Sequence, residues 1–112
     1  MPKYLTFFSY TSEAAARMLE NPTDRGALVA PLAEATGCPL ECFYWMLGPF
    51  DGLTIFEAPD AATAGAFIQG VAASGSVSRL ETHQLLSMEE AIEMQRKAKA
   101  VAEGYVRPGT SG

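Results

Sequence analysis

The sequence predicts an α+β fold: a ferredoxin-like βαββαβ unit with a four-stranded antiparallel sheet, helices on one face and an additional C-terminal helix. Three observations carry this expectation. Four aromatic or β-branched runs alternate with helical stretches in the order βαββαβ. The second and third runs are joined by Gly48-Pro49-Phe50-Asp51-Gly52, a turn of the kind that closes a hairpin. The strands are apolar on both sides, so the sheet must be covered twice.

Composition narrows the function classes. A chain of 112 residues fits one domain, and 48% hydrophobic with 19% charged residues is ordinary for a globular protein. Eight Lys and Arg against thirteen Asp and Glu leave a formal charge of −5. That balance argues against nucleic acid and anionic membrane as partners, because both require a basic surface. The start Met1-Pro2-Lys3-Tyr4 has no signal-peptide pattern, and no apolar run approaches the ~20 residues of a membrane span. A cytoplasmic protein is the expectation. Cys38 and Cys42 are the only cysteines. If extended, residues 38 and 42 lie about 13 Å apart at roughly 3.3 Å per residue, too far for a disulfide. With His83 they also fall short of the four ligands of a closed zinc site. No metal and no cofactor are expected.

The first strand is residues 3–10, KYLTFFSY. Thr11 or Ser12 then caps a helix, SEAAARMLEN, with Glu13 in the first turn. Asn21-Pro22 ends it, and a second helical stretch runs from about Thr23 to Thr36, with Leu28, Leu32 and Ala35 on one stripe. Pro31 inside that stretch is expected to kink it or restart its last turns, and Gly37 provides a left-handed stop. Residues 39–47 and 53–58 form the hairpin strands. Pro59-Asp60 opens the helix 62–75, whose Ala64, Gly65 and Ala72 suit close approach to a sheet, with Phe67 and Val71 one turn apart. Residues 76–86 are the fourth strand. Ser87-Met88-Glu89-Glu90 is a capping box that opens the last helix, which runs to about Ala102 with Met88, Ala91 and Ile92 on its apolar side. The domain therefore spans residues 1–103, with residues 104–112 as a flexible tail.

In the first strand Leu5 and Phe7 point one way, and Tyr4, Phe8 and Tyr10 the other. In the second, Phe43, Trp45 and Leu47 oppose Leu40, Tyr44 and Met46. Both faces are apolar in both strands. A bare apolar face of several hundred Å² is a liability in a monomer. Either the terminal helix or a second copy of the chain covers it, and a homodimer joined through sheet faces is the expectation.

The blocks MPKYL-x-FFSYT, LECFYW, GPFDG, APD-x-x-x-A, AASGSV and LLSMEE, with the ending YVRPG, resemble the GYD domain family over residues 1–108. Where that family carries its naming tripeptide this chain reads Pro49-Phe50-Asp51, keeping Gly48 before it and the acid. The resemblance implies a ferredoxin-like fold of the dimeric α+β barrel class, with two sheets packed face to face. It implies no established activity. Related barrel families include cofactor-independent monooxygenases, dismutase-like enzymes and small stress proteins, so the chemistry stays open.

Candidate site residues follow from residue type. His83, the sole histidine, shares a strand side with Arg79 and Glu81. It is either a general base titrating near neutrality or part of a charged edge strand that blocks aggregation. Asp51 is either an acid at a pocket mouth or the acceptor for its own turn. Glu57 interrupts the apolar side of Leu53 and Ile55, and either escapes to water at the strand end or is buried with a raised pKa. Tyr4, Tyr10, Tyr44 and Trp45 either line a hydrophobic cavity with polar tips or simply build the core. Two functional readings result. One is a pocket for a small apolar or aromatic ligand, between sheet and helices or at the dimer barrel, with His83 and Asp51 supplying cofactor-independent proton transfer or oxygenation. The other is a non-catalytic interaction or stress module whose dimer is the functional unit.

Overall fold

A computed structural model describes residues 1–110. Its elements run β1 (Lys3–Tyr10), α1 (Ser12–Glu20), α2 (Arg25–Ala35), β2 (Leu40–Trp45), β3 (Gly52–Glu57), α3 (Ala61–Ala73), β4 (Val77–Leu85) and α4 (Met88–Gly104). The four strands form one sheet in the order β2-β3-β1-β4 with every neighbouring pair antiparallel. This is the predicted ferredoxin-like α+β topology.

Each helix begins where a short polar side chain can take up an orphan N–H. Thr11 accepts from Ala14, Asp24 from Ala27, Asp60 from Thr63, and Ser87 from Glu90 in a complete capping box. The α2 helix ends at Gly37 with φ +82°, a conformation that costs glycine little. Pro31 neither breaks nor restarts α2, which runs unbroken from Arg25 to Ala35. The C-terminal helix extends two residues past the expected Ala102, and the last two residues of the expected tail, 111 and 112, lie outside the described residues.

The strands divide cleanly into two faces. Tyr4, Thr6, Phe8, Thr54 and Phe56 are buried under the helices, while their neighbours Leu5, Phe7, Leu53 and Ile55 are half-buried on the other side. The β2 strand departs from simple alternation. A register shift between Leu40 and Cys42 sets Leu40 opposite Phe56 and Cys42 opposite Ile55. The irregularity puts Leu40 on the same side as Phe43 and Trp45, not on the side of Tyr44 as strict alternation requires.

The core sits at one end of the sheet. Tyr4, Cys38, Phe56, Ala58 and Ala64 form its buried cluster, with Leu40, Phe67 and Ile68 packed against it. Phe56 is wholly enclosed, its ring 5.5 Å from Tyr4 and 5.2 Å from Phe67 between centroids. The expected α2 stripe is not what packs. Leu28 and Leu32 stay more than half exposed, whereas Ala33 is fully buried and Gly26 lets the helix approach Phe43, whose Cβ lies only 3.3 Å from where a Gly26 Cβ would stand. On α3 it is Ala64 that meets the sheet, while Gly65 and Ala72 face outward. The α4 helix buries no residue at all.

Candidate functional site

The other end of the helix-covered face is open. Between the sheet and the helices α2 and α3 lies a cavity of about 690 Å³. Its floor is Thr6, Phe8, Phe43, Thr54 and Leu80, and its walls are Val29 and Leu32 from α2 and Ala66, Phe67, Gly70 and Val71 from α3. The volume falls within the about 300–1,000 Å³ typical of small-molecule sites. Most lining hydroxyls are already engaged. Thr6 and Thr82 share a hydrogen bond of 2.9 Å, Thr54 donates to the Cys42 carbonyl, Thr36 to that of Leu32 and Ser74 to that of Val71.

Tyr10 and Arg25 stand together at one end of this cavity. Burial raises the Tyr10 phenol above its ordinary value, opposed by the Arg25 guanidinium beside it and reinforced by the carboxylate of Asp51. Tyr10 also joins an aromatic chain: its ring lies 5.3 Å from Phe8 and 5.5 Å from Trp45, and Phe8 lies 5.2 Å from Phe43. Gly52 makes room for this chain. A Cβ there would stand 2.5 Å from the Tyr44 carbonyl oxygen and 2.6 Å from the Phe8 ring, closer than side chains pack. The requirement for glycine here is steric.

The sequence-predicted residues do not meet at one place. Tyr10 lines the cavity and Trp45 stacks beside it, both on the helix-covered side. Tyr4 is on that side too, but 7% exposed and stacked on Phe56 within the core. Tyr44 and His83 project from the opposite face, because their partners in the ladders are Leu53 and Leu5. The His83 side chain is 54% exposed, pairs with Glu81 at 3.4 Å and meets Phe7 edge-on. The side predicted for Arg79, Glu81 and His83 is therefore the open face, and β4 is an edge strand. Asp51 ties the hairpin to β1 and does not cap its own turn. Its carboxylate accepts from the Tyr10 amide at 2.8 Å, and its own amide donates to the Phe8 carbonyl at 2.9 Å.

The open face has its own order. Phe50 folds back from the hairpin to stack on Phe7 at 5.4 Å, and Arg79 caps Phe50 at 4.3 Å from the ring centroid. Leu5, Phe7, Leu53 and Ile55 form an apolar centre, rimmed by Lys3 paired with Glu41 and by His83 paired with Glu81. Glu57 does sit at its strand end, and the Lys3 ammonium pKa is raised by its hydrogen bond to Glu41 and by the Glu41 charge, with a smaller contribution from Glu57.

Both thiols are free: Cys38 is buried against the Thr63 carbonyl, and burial pushes its pKa up. Among the described residues no cluster of three or more His, Cys, Asp or Glu is placed to hold a metal, and no helix is long and apolar enough to cross a membrane. Sequence reasoning missed Arg25. The signal available was a cation at the start of a helix whose next eight residues are small or apolar, RGALVAPLAEA, but nothing in one dimension aims it at Tyr10.

Comparisons with known proteins place these observations. The model of a family described as the GYD domain matches residues 4–94. A Thermus thermophilus protein named "Glutamine synthetase and cystathionine beta-lyase binding protein" is 29% identical over 80 residues, covering 71% of this chain and 84% of its own. The crystal structure of an uncharacterized NIPSNAP domain protein from Burkholderia xenovorans superposes with a TM-score of 0.48 at 11% identity, covering 78% of this chain and 94% of that one.

Proposed function

The chain belongs to the GYD domain family, and from that premise we propose that it is a small-molecule-binding protein whose site is the cavity between the sheet and helices α2 and α3. One observation carries the reading: an apolar cavity of about 690 Å³ in a layer that a folded chain of this size normally fills. The occupant is a small molecule with an apolar or aromatic body. Binding is favoured over proton transfer because His83 stands on the far side of the sheet and Asp51 is engaged by the Tyr10 amide. Two free cysteines and the acidic balance suit a cytoplasmic setting.

The test is saturable binding of the neutral fluorescent probe N-phenyl-1-naphthylamine. The expected result is binding that Ala66→Trp, which fills the cavity from α3, weakens at least tenfold while the fold is retained by circular dichroism. Absence of saturable binding, or equal binding by that variant, overturns the reading.

A second reading is favoured by the open sheet face. Its apolar centre and charged rim suit a protein partner, the first being a second copy of the chain packed sheet to sheet. The name of the Thermus relative supports an interaction module that binds other proteins and does not bear on the second copy.

A further inference from the structure

Resting on the binding reading above, we propose that the cavity takes an amphipathic carboxylate: an apolar chain or ring whose single acid group is held at the Arg25–Tyr10 end. Arg25 is the one ionised side chain in the lining. A lone cation at the end of an apolar cleft selects a ligand with one anionic head and an apolar body, since a neutral apolar molecule would gain nothing from it.

Arg25 has the Tyr10 phenol beside it but no acid. Among the described residues no carboxylate lies within 4 Å of its guanidinium. Asp24, its neighbour in sequence, and Asp51, beside Tyr10, are committed to backbone: Asp24 accepts from the Ala27 amide and Asp51 from the Tyr10 amide. A partly buried guanidinium without a carboxylate partner is unusual, because its fork of donors matches a carboxylate in two parallel hydrogen bonds. Tyr10 adds a second donor on the same side. Its phenol is held protonated by burial, so at neutral pH it donates to an anion and does not repel it.

The rest of the cavity fits the body of such a molecule. Thr6, Thr36, Thr54 and Ser74 have their hydroxyls engaged within the protein, so the middle of the cleft offers mainly apolar contact from Phe8, Leu32, Phe67 and Val71. The polarity is thus concentrated at one end.

The experiment is a competition on the full chain. N-phenyl-1-naphthylamine is displaced in parallel by dodecanoate, dodecan-1-ol and dodecyltrimethylammonium, and the emission of Trp45, 5.5 Å from the Tyr10 ring, reports occupancy at that end. The expected order is dodecanoate at least tenfold tighter than the alcohol, with the cation weakest. Arg25→Gln is expected to cut the acid-over-alcohol ratio below threefold, and Arg25→Lys to restore part of it. Equal competition by acid and alcohol overturns the carboxylate assignment while leaving the cavity as a binding site. So does an unchanged ratio in Arg25→Gln. Failure of the probe itself to bind overturns both.

Discussion

Phe56 is the residue on which the filled half of the core turns. It is wholly enclosed between Tyr4 and Phe67, so Phe56→Ala leaves a hole the neighbouring rings cannot close. A loss of about 3–5 kcal/mol is expected in denaturant unfolding. Gly52→Ala acts in the opposite sense, by overfilling. Its Cβ meets a backbone carbonyl that cannot turn aside, and a loss of about 1–3 kcal/mol follows. At this scale the sequence was legible wherever period two governs: β1 splits its side chains between the faces as its spelling requires. It was not legible which face the helices cover, since both read as apolar. That is why Tyr4, Tyr44, Trp45 and His83 look like one constellation in the sequence and occupy two sides of the sheet in the fold. Nor does spelling reveal the shift at Leu40 and Cys42.

At the scale of elements, the helix starts were the most legible features, because Thr11, Asp24, Asp60 and Ser87 each solve a local problem with a local side chain. The packed faces of the helices were the least legible. Small residues such as Gly26, Ala33 and Ala64 make the contacts, and small residues give a weak periodic signal. The caps carry a pH dependence. The Ser87 amide holds the Glu90 carboxyl below its ordinary 4.5, and the Thr63 amide holds Asp60 below its ordinary 3.8. A carboxyl lowered in the folded state contributes stability that is present above its unfolded value and lost as pH falls through its folded one. Both groups are fully exposed, so the effect belongs to the helix ends rather than to global stability. Far-UV circular dichroism is expected to show helicity declining reversibly as pH drops below 4.5, starting with α4. In Glu90→Gln, which keeps an acceptor for the Ser87 amide but cannot titrate, that decline is expected to shrink.

The whole molecule is far from spherical. Its radius of gyration is 18.6 Å, against about 13 Å for a compact chain of this length, and its long axis is 63 Å. The excess comes with a helix, α4, that buries none of its residues although Met88, Ile92, Met94 and Val101 are apolar. The opposite side of the sheet likewise keeps an apolar centre uncovered. A chain with two such surfaces is expected to associate, and light scattering at micromolar concentration should give about twice the 12.0 kDa chain mass. A mass of one chain would remove the sheet-to-sheet pairing. The fold class was legible at this scale from element order alone, whereas the place of a pocket stayed open between the sheet–helix layer and a dimer barrel: volume left unfilled has no sequence signature when its walls are ordinary core residues.

The α3 helix contains Gly65 and Gly70, and nothing lies within 4 Å of where either Cβ would stand. Space does not explain these glycines, and each lowers helix stability by about 0.5–1 kcal/mol relative to alanine. The consequence is one of time rather than of shape. One wall of the cavity is thereby a helix weakened from within, and its amides are expected to exchange with solvent ahead of those in the sheet. If the proposed ligand binds, openings of this helix are its expected way in and out, since the paired strands offer none.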